Sequence, residues 1–146
     1  MEQTSALVGD IVGLLFETVA LLHAHFERCA ADCGLSAAQA AAVQQLERPL
    51  SMRELAAGLG CDPSNVTGIT DRLEARGLVE RQVDLSDRRV KTLVLTATGM
   101  ELRERLQARL LHGPAPVTGL TRQQQEVLRD LLRRALPRNS EGEREP

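Results

Sequence analysis

Apolar side chains recur at helical spacing along the first part of the chain and predict one long helix. It runs from Thr4 or Ser5 to about Asp32, and Gly34 follows where a helix end favours a left-handed residue. Such a helix spans about 42 Å, which is long for a small domain and typical of a helix that packs against another subunit. Its apolar stripe consists of Leu7, Ile11, Leu14, Leu15, Leu21, Leu22 and Cys29.

Three more helices are predicted by the same signals. One is alanine-rich, begins with a capping box at Ser36 and ends before Pro49, because the residue before a proline avoids the helical region. Two others, over about 97–112 and 121–136, carry leucine stripes and are separated by two prolines within residues 113–116. Residues 138–146 are polar and charged, so we expect them to form a flexible tail.

The middle of the chain predicts two short helices joined by a tight turn. Ser51 begins the first with a capping box, and Gly60 suits the left-handed position after its end. Asp62 is a favourable N-cap for the second helix, Pro63 fits its first position, and Gly77 ends it. Two short helices joined by a turn of about four residues form a helix-turn-helix unit.

The second of these helices has one apolar and one polar face. Val66, Ile69 and Leu73 form the apolar stripe. Short polar side chains near the N-terminal end suit a helix that enters a DNA major groove, because hydroxyls and amides can then reach bases and phosphates. A solvated polar face on an ordinary helix fits the same pattern. The polar face carries Ser64, Asn65, Thr67, Gly68, Thr70, Asp71 and Arg72.

A charged hairpin follows the helix pair. Residues 78–83 and 91–95 predict its strands; the first has an irregular pattern, whereas Leu93 and Leu95 alternate cleanly with their neighbours. The tip, residues 84–89, ends in two adjacent arginines, which can enter a narrow minor groove. A surface turn with solvated charges is the alternative for the tip alone. A basic hairpin directly after a helix-turn-helix favours a winged helix.

Two motifs carry a resemblance to a known family. The wing signature of MarR-type winged-helix transcriptional regulators resembles the run Asp84-x-x-Asp87-Arg88-Arg89-x-x-x-Leu93-x-Leu95-Thr96-x-x-Gly99. The recognition helix of that family and the strand after it resemble residues 63–79. The resemblance implies a dimeric, DNA-binding repressor or activator, often released from its operator by a small molecule or by oxidation. It also implies that the alanine-rich helix forms one wall of the effector cleft.

The expected fold is mainly α with a small β-hairpin wing. A winged helix-turn-helix domain at 35–99 lies between an N-terminal dimerisation helix at 1–34 and C-terminal dimerisation helices at 100–137. Because one small domain cannot easily cover the apolar stripes of the end helices, we expect a homodimer with these helices interleaved around a two-fold axis. The two recognition helices then lie roughly one DNA turn (~34 Å) apart on a palindromic site.

Charge is balanced over the predicted DNA-binding segment, and the net charge of the whole chain is −2. Residues 51–96 contain seven basic and seven acidic side chains. DNA binding therefore depends on how the cations are arranged, and we expect clear salt dependence from phosphate contacts. The cations expected on one side are Arg72, Arg76, Arg88, Arg89 and Lys91.

The sequence predicts a cytoplasmic protein that binds no membrane. No apolar run approaches the roughly 20 residues needed to span a bilayer. The N-terminus lacks the basic region and apolar stretch of a signal peptide. Three cysteines, an odd number, suit a reducing compartment better than a disulfide framework.

The polar face of the second helix supplies most of the expected DNA contacts. Asn65 is the best candidate for a base contact, because an amide can pair bidentately with adenine, and Gly68 permits close approach. Arg72 either reaches a phosphate or pairs with a neighbouring acid. Ser51 and Arg53, at the start of the first helix, can hold phosphates through hydroxyl, N–H groups and guanidinium. The residues expected at the DNA surface of the recognition helix are Ser64, Asn65, Thr67, Gly68, Thr70 and Arg72.

In the wing, we expect Arg88 to enter the minor groove and Lys91 to add to the DNA-facing charge. The resemblance implies that Arg89 pairs with Asp87 and stiffens the wing. The alternative for Arg89 is a plain surface arginine.

The cysteines suggest one alternative, a redox-responsive regulator. Cys29 and Cys33 lie four residues apart on one helix, which is poorly set for an unstrained disulfide, and Cys61 lies in the turn of the helix-turn-helix. Free cysteine is often buried, and the chain has no tyrosine to assist a thiol. A second alternative is a winged helix that binds a protein instead of DNA, against which the wing arginines argue.

Phe16, His23 and Phe26 on the first helix are candidates to contact a small apolar or phenolic effector; the alternative is that both phenylalanines belong to a dimer core. His23, His25 and His112 do not show metal-ligand spacing, so we expect no metal and no cofactor. The chain has no glycine-rich phosphate loop, nucleophile motif or acid/base constellation, and we therefore expect no enzymatic activity.

Overall fold

The computed structural model describes residues 2–83, 86–112 and 116–136. These residues form a mainly α structure with a small antiparallel sheet, which confirms the predicted fold class. Part of the wing tip (84–85), most of the proline-containing break (113–115) and the predicted tail lie outside the described residues. The helices are α1 (Glu2–Asp32), α2 (Ala37–Gln45), α3 (Met52–Leu59), α4 (Pro63–Ala75), α5 (Ala97–Leu111) and α6 (Arg122–Ala135). The strands are β1 (Leu50–Ser51), β2 (Val79–Val83) and β3 (Lys91–Leu95).

Side-chain caps and left-handed residues fix where most helices begin and end. The three predicted capping boxes are present, in the pairs Ser36–Gln39, Ser51–Glu54 and Thr121–Gln124. Asp62 occupies the N-cap of α4 as predicted, but its carboxylate makes no capping hydrogen bond. Instead, its carbonyl accepts from the N–H groups of Asn65 and Val66. Gly34 and Gly77, with φ angles of 68°, follow α1 and α4 as predicted.

The sheet joins the wing to the start of α3. β3 lies in the centre, with β1 and β2 antiparallel to it on either side. The sequence pattern does not predict β1, because two residues are too few to show an alternation. The predicted alternation of β3 is wrong, since Thr92 and Leu93 are both buried. Thr92 lies opposite Ser51 on one side and Gln82 on the other, so neighbouring strands cover it.

Most of the hydrophobic core lies within residues 37–95, hereafter the reading head, and it continues to the C-terminal part of α1, to Leu35 and to Leu102 and Leu106 of α5. α2 is its centre, because this helix contacts α1 and α5 on one side and α3 and α4 on the other. Its small side chains allow this close approach; Ala40 and Ala42 are fully buried. The largest apolar side chains that are fully buried are Val43, Leu55, Val66, Leu73, Val79, Leu93 and Leu106.

Two helices carry apolar side chains that the rest of the described chain does not cover. No residue of α6 is buried, and ten large apolar side chains of α1 between Leu7 and Leu22 are 43–71% exposed. By length and composition alone, the segment Ser5–Asp32 could also cross a membrane, since an 18-residue window within it has a mean hydropathy of 1.8. This finding corrects the expectation that no apolar run approaches that length. An exposed apolar surface of this extent indicates an interaction site.

Candidate nucleic-acid interface

The N-terminal half of α4 presents a polar surface to solvent. Ser64, Asn65 and Thr67 are exposed, while Val66 on the opposite face is fully buried. The Thr67 hydroxyl donates to the Pro63 carbonyl at 3.2 Å, so its oxygen lone pairs still face solvent. A Cβ added at Gly68 meets no atom within 4 Å, which makes this part of the helix open to a close partner.

Thr70 does not belong to this surface, and the prediction that it contacts DNA is corrected. Its residue is fully buried, and its hydroxyl donates to the Thr67 carbonyl at 3.0 Å. The reason is its position: Thr70 lies four residues after Val66 and three before Leu73, which places it on the buried stripe.

Arg81 of β2 ties the wing to the recognition helix. Its guanidinium donates to Asp71 at 2.5 Å and to Glu74 at 2.7 Å, and it lies 3.4 Å from the Thr70 hydroxyl. The hydrogen bond to Asp71 raises the pKa of Arg81. The sequence analysis missed this residue, although two acids three apart on a polar helix face and an arginine on the next strand are a usable signal.

The arginines of α4 have two different roles. Arg72 is exposed and makes no ion pair with any residue that the structure describes, which removes the alternative that it pairs with a neighbouring acid. Arg76 instead donates to the carbonyl of Gly34 at 2.6 Å. The expectation that Arg76 lies with the DNA-facing cations is therefore corrected, because its guanidinium is turned toward the end of α1.

The described part of the wing presents Arg88, Arg89 and Lys91 to solvent, and none of them forms an ion pair within that part of the chain. The Asp87 carboxylate accepts a hydrogen bond from the backbone N–H of Arg89 at 3.0 Å. The Asp87 carbonyl also accepts from the N–H of Val90 at 2.9 Å. Asp87 thus shapes the turn as expected, but through the backbone of Arg89 and not through its guanidinium.

The start of α3 is less suited to a phosphate than the sequence predicts. The Ser51 N–H donates to the Glu54 carboxylate at 2.7 Å, and the Ser51 hydroxyl accepts from the Glu54 N–H at 3.2 Å. These hydrogen bonds hold the pKa of Glu54 below its usual value, and Arg48 lies 3.4 Å away. The helix N-terminus therefore already binds a carboxylate of the chain, whereas Arg53 is exposed.

The three effector candidates on α1 do not form a pocket within one protomer. Phe16 is 71% exposed, His23 lies on the surface 3.5 Å from Glu27, and Phe26 packs against the core. A cleft of about 460 Å³ instead separates the ends of α1 and α5. Its lining includes His25, Arg28, Cys29, Asp32, Arg109 and His112.

All three cysteines are free thiols. Burial raises the pKa of the Cys29 thiol, which keeps it protonated and weakly nucleophilic. The N–H of Cys33 donates to the carbonyl of Cys29, so the two residues remain on one helical turn. The Cys29 sulfur lies 3.6 Å from Nε2 of His25, but burial remains the largest influence on its pKa. Cys61 is half-buried in the turn before α4.

Comparisons with known proteins agree with this geometry. The sequence model of the MarR family matches residues 35–91. The crystal structure of CouR from Rhodococcus jostii RHA1, bound to p-coumaroyl-CoA, is 32% identical, with a TM-score of 0.68 over 86% of this chain and 91% of CouR. The chain belongs to the MarR family.

Two further relatives match parts of the chain. The MarR family protein Rv2887 of Mycobacterium tuberculosis, in complex with p-aminosalicylic acid, is 27% identical, with a TM-score of 0.68 over 84% of this chain and 95% of Rv2887. The HTH-type transcriptional regulator TtmR of Methylorubrum extorquens (strain PA1) is 34% identical over 86 residues. That match covers 59% of this chain and 44% of TtmR, so the chain matches less than half the length of this curated relative.

Replacement of Arg81 tests the link between wing and recognition helix. Arg81→Ala releases the wing and exposes two carboxylates on α4, so we expect DNA affinity to fall by on the order of tenfold. Because partly exposed ion pairs contribute about 0.2–1 kcal/mol each, the loss of two should lower the free energy of unfolding by no more than about 2 kcal/mol. Fluorescence anisotropy and urea denaturation measure the two effects.

The triple variant Arg81→Ala, Asp71→Asn, Glu74→Gln separates the two causes. It removes the exposed negative charge but leaves the wing untied, so we expect only partial recovery of affinity. Unchanged DNA affinity in Arg81→Ala contradicts the positioning role of this residue.

Proposed function

We propose that the protein is a sequence-specific transcriptional repressor that acts in the cytoplasm as a homodimer on a palindromic operator, and that a small molecule releases it. In this proposal, residues 35–99 bind DNA, while 1–34 and 100–137 form the dimer. The observation that carries it is the open polar face of α4, which Arg81 ties to a wing whose cations form no ion pair with the described residues.

The distribution of ion pairs explains how a neutral segment can bind DNA. Arg81 neutralises Asp71 and Glu74, and Arg48 together with the Ser51 amide holds Glu54. The acids of the reading head are thus largely engaged within the chain, while several cations point to solvent. Among the described residues of the reading head, the exposed cations with neither an ion pair nor a carbonyl partner there are Arg53, Arg72, Arg88, Arg89 and Lys91.

The proposed contacts follow from these positions. Asn65 is the proposed base-reading residue, with Ser64, Thr67 and Gly68 beside it on the exposed face of α4. Arg88 is the proposed minor-groove residue, where the negative potential of a narrow groove favours a guanidinium. The remaining exposed cations, Arg53 and Arg72 on the helices and Arg89 and Lys91 in the wing, contact phosphates.

The apolar surfaces of α1 and α6 support a second copy of this chain as the partner. They belong to the two ends of the chain, so both flank the reading head, and a two-fold axis through them yields two recognition helices. A bilayer is a poor alternative, because Asp10 and Glu17 lie seven residues apart on one side of α1. Burial of two carboxylates in hydrocarbon is costly, whereas a dimer can leave them in water.

The effector is proposed from the ligand-bound relatives and from the cleft between α1 and α5, whose volume of about 460 Å³ suits a small molecule. Phe16 is exposed in the protomer, so Phe16, His23 and Phe26 can line a pocket only if the partner subunit completes it. Compounds that release the protein from its selected duplex identify the effector.

Selection from random DNA duplexes at two salt concentrations tests DNA recognition. We expect an enriched palindrome with half-site centres about ten base pairs apart. On that duplex, Arg88→Ala should weaken binding by on the order of tenfold without a change in dimer mass, because it removes a groove contact. Arg105→Ala, an exposed arginine of α5 outside the reading head, is the matched control.

If no duplex is enriched, the proposal of sequence-specific DNA recognition is wrong. If Arg88→Ala and the control bind the selected duplex with equal affinity, the wing does not contribute to DNA recognition. If an Arg88→Glu variant binds no DNA but still binds a protein partner, the alternative of a protein-interaction module is favoured.

The introduction of negative charge on the apolar face of α6 tests the homodimer. Val127 and Leu131 are 54% and 57% exposed on the apolar face, so Val127→Asp with Leu131→Asp should produce a monomer because it places charges in the interface. Arg129→Asp, on the polar side of the same helix, is the control and should remain dimeric. Light scattering gives the mass of each variant. The proposed interface is wrong if the wild-type protein is a monomer in solution, or if it is a monomer that binds phosphatidylcholine vesicles and floats with them.

A further inference from the structure

Beside the packing of α2 against α1 and α5, hydrogen bonds at the C-terminal end of the recognition helix join both flanking helices to the reading head. Arg76 is the C-cap of α4, and its Nη1 donates to the carbonyl of Gly34, just beyond α1, at 2.6 Å. The carbonyl of Gly77, the next residue, accepts from the hydroxyl of Thr96, just before α5, at 2.6 Å. Two adjacent residues thus tie one end of α4 to α1 and to α5.

The contact with α5 is also close in steric terms. The N–H of Thr96 donates to the carbonyl of Leu78 at 3.1 Å, and the Thr96 hydroxyl accepts from the N–H of Gly99 at 3.1 Å. A Cβ added at Gly99 would overlap the carbonyl oxygen of Leu78. The first turn of α5 therefore lies directly on the segment that leaves α4, and this side of the junction has little freedom.

We propose that Arg76 is a positioning residue that fixes the angle of the reading head on the dimerisation helices and thereby sets the spacing between the two operator half-sites. This inference rests on the proposed function as a DNA-binding dimer. Arg76 acts without touching DNA, because its guanidinium is bound to Gly34. Backbone packing holds the reading head against α5. The Arg76 hydrogen bond therefore determines how the reading head is rotated relative to α1.

The length of α4 makes this angle important. Its 13 residues extend about 20 Å at a rise of about 1.5 Å per residue, and the proposed base-reading residue Asn65 lies at the end far from Arg76. A rotation of about 10° at Arg76 therefore moves the reading end by about 3.4 Å, the rise of one base pair. Apolar packing through α2 is non-directional and tolerates such a rotation, whereas a hydrogen bond is directional.

Operator libraries with spacers of varied length between two fixed half-sites test the proposal. Wild-type protein should favour one spacer. Arg76→Met keeps a side chain of similar length without a donor, and we expect it to select the same half-site sequence with about fivefold less preference for that spacer, the factor of one net hydrogen bond. Arg76→Lys keeps a donor and should restore the preference.

Arg72→Ala is the matched control, since it removes an arginine of the same helix that has no tie to α1. It should weaken binding to all spacers equally. Thermal unfolding and light scattering establish that each variant is folded and dimeric; if Arg76→Met is unfolded, Arg76→Ala and Arg76→Gln replace it.

The outcomes separate the inference from the function beneath it. A folded Arg76 variant with the spacer preference of wild type overturns the positioning role while DNA recognition stands. A uniform loss of affinity at every spacer, equal to that of Arg72→Ala, shows a DNA contact and also overturns it. If wild-type protein has no spacer preference, the proposed dimeric function fails and the inference fails with it.

Discussion

The double ion pair of Arg81 with Asp71 and Glu74 is the interaction on which the candidate interface depends. It holds the wing against the recognition helix, and it also neutralises two carboxylates on the surface that we propose to face DNA. One guanidinium thus both positions the wing and neutralises two carboxylates. A segment with as many acids as bases can then attract phosphates, because most of its described acids are engaged within the chain and its outward cations there are not.

The second constraint is the apolar surface that one protomer leaves uncovered. The core of the reading head lies around α2 and is completed by the C-terminal end of α1 and by α5 of the same chain. α1 and α6, in contrast, expose apolar side chains along most of their length. The dimer that we propose to cover them also presents two recognition helices, one for each half-site of a palindromic operator. In this proposal, the same dimer interface covers the apolar surface and positions the two recognition helices. The hydrogen bond of Arg76 to Gly34 connects that interface to the recognition helix.

The sequence predicts the elements well, because caps and breaks are local signals. Ser36, Ser51 and Thr121 begin helices where their capping boxes predict, and Gly34 and Gly77 follow helix ends. Burial of polar residues is predicted less well, since it depends on tertiary neighbours. Thr70 looks like a groove residue by type but lies on the buried stripe, and Thr92 is covered by strands on both sides.

Long side chains are the hardest to place from sequence, because a guanidinium can reach a partner far away in the chain. Arg76 binds a carbonyl 42 residues earlier, and Arg81 bridges to a helix 7 and 10 residues before it. Periodicity contains no information about such contacts. The membrane-spanning length of α1 was missed for a related reason: two scattered acids obscure an otherwise apolar helix when short runs are counted.

The salt dependence of operator binding tests the central claim most directly, because it counts phosphate contacts and subunits together. Each contact contributes about 0.9 to the slope of log affinity against log salt concentration. Arg72→Ala removes one proposed contact from each of two subunits, so the account predicts a slope smaller by about 1.8 than that of wild type. An unchanged slope would contradict the claim that the exposed cations of a dimer hold the DNA.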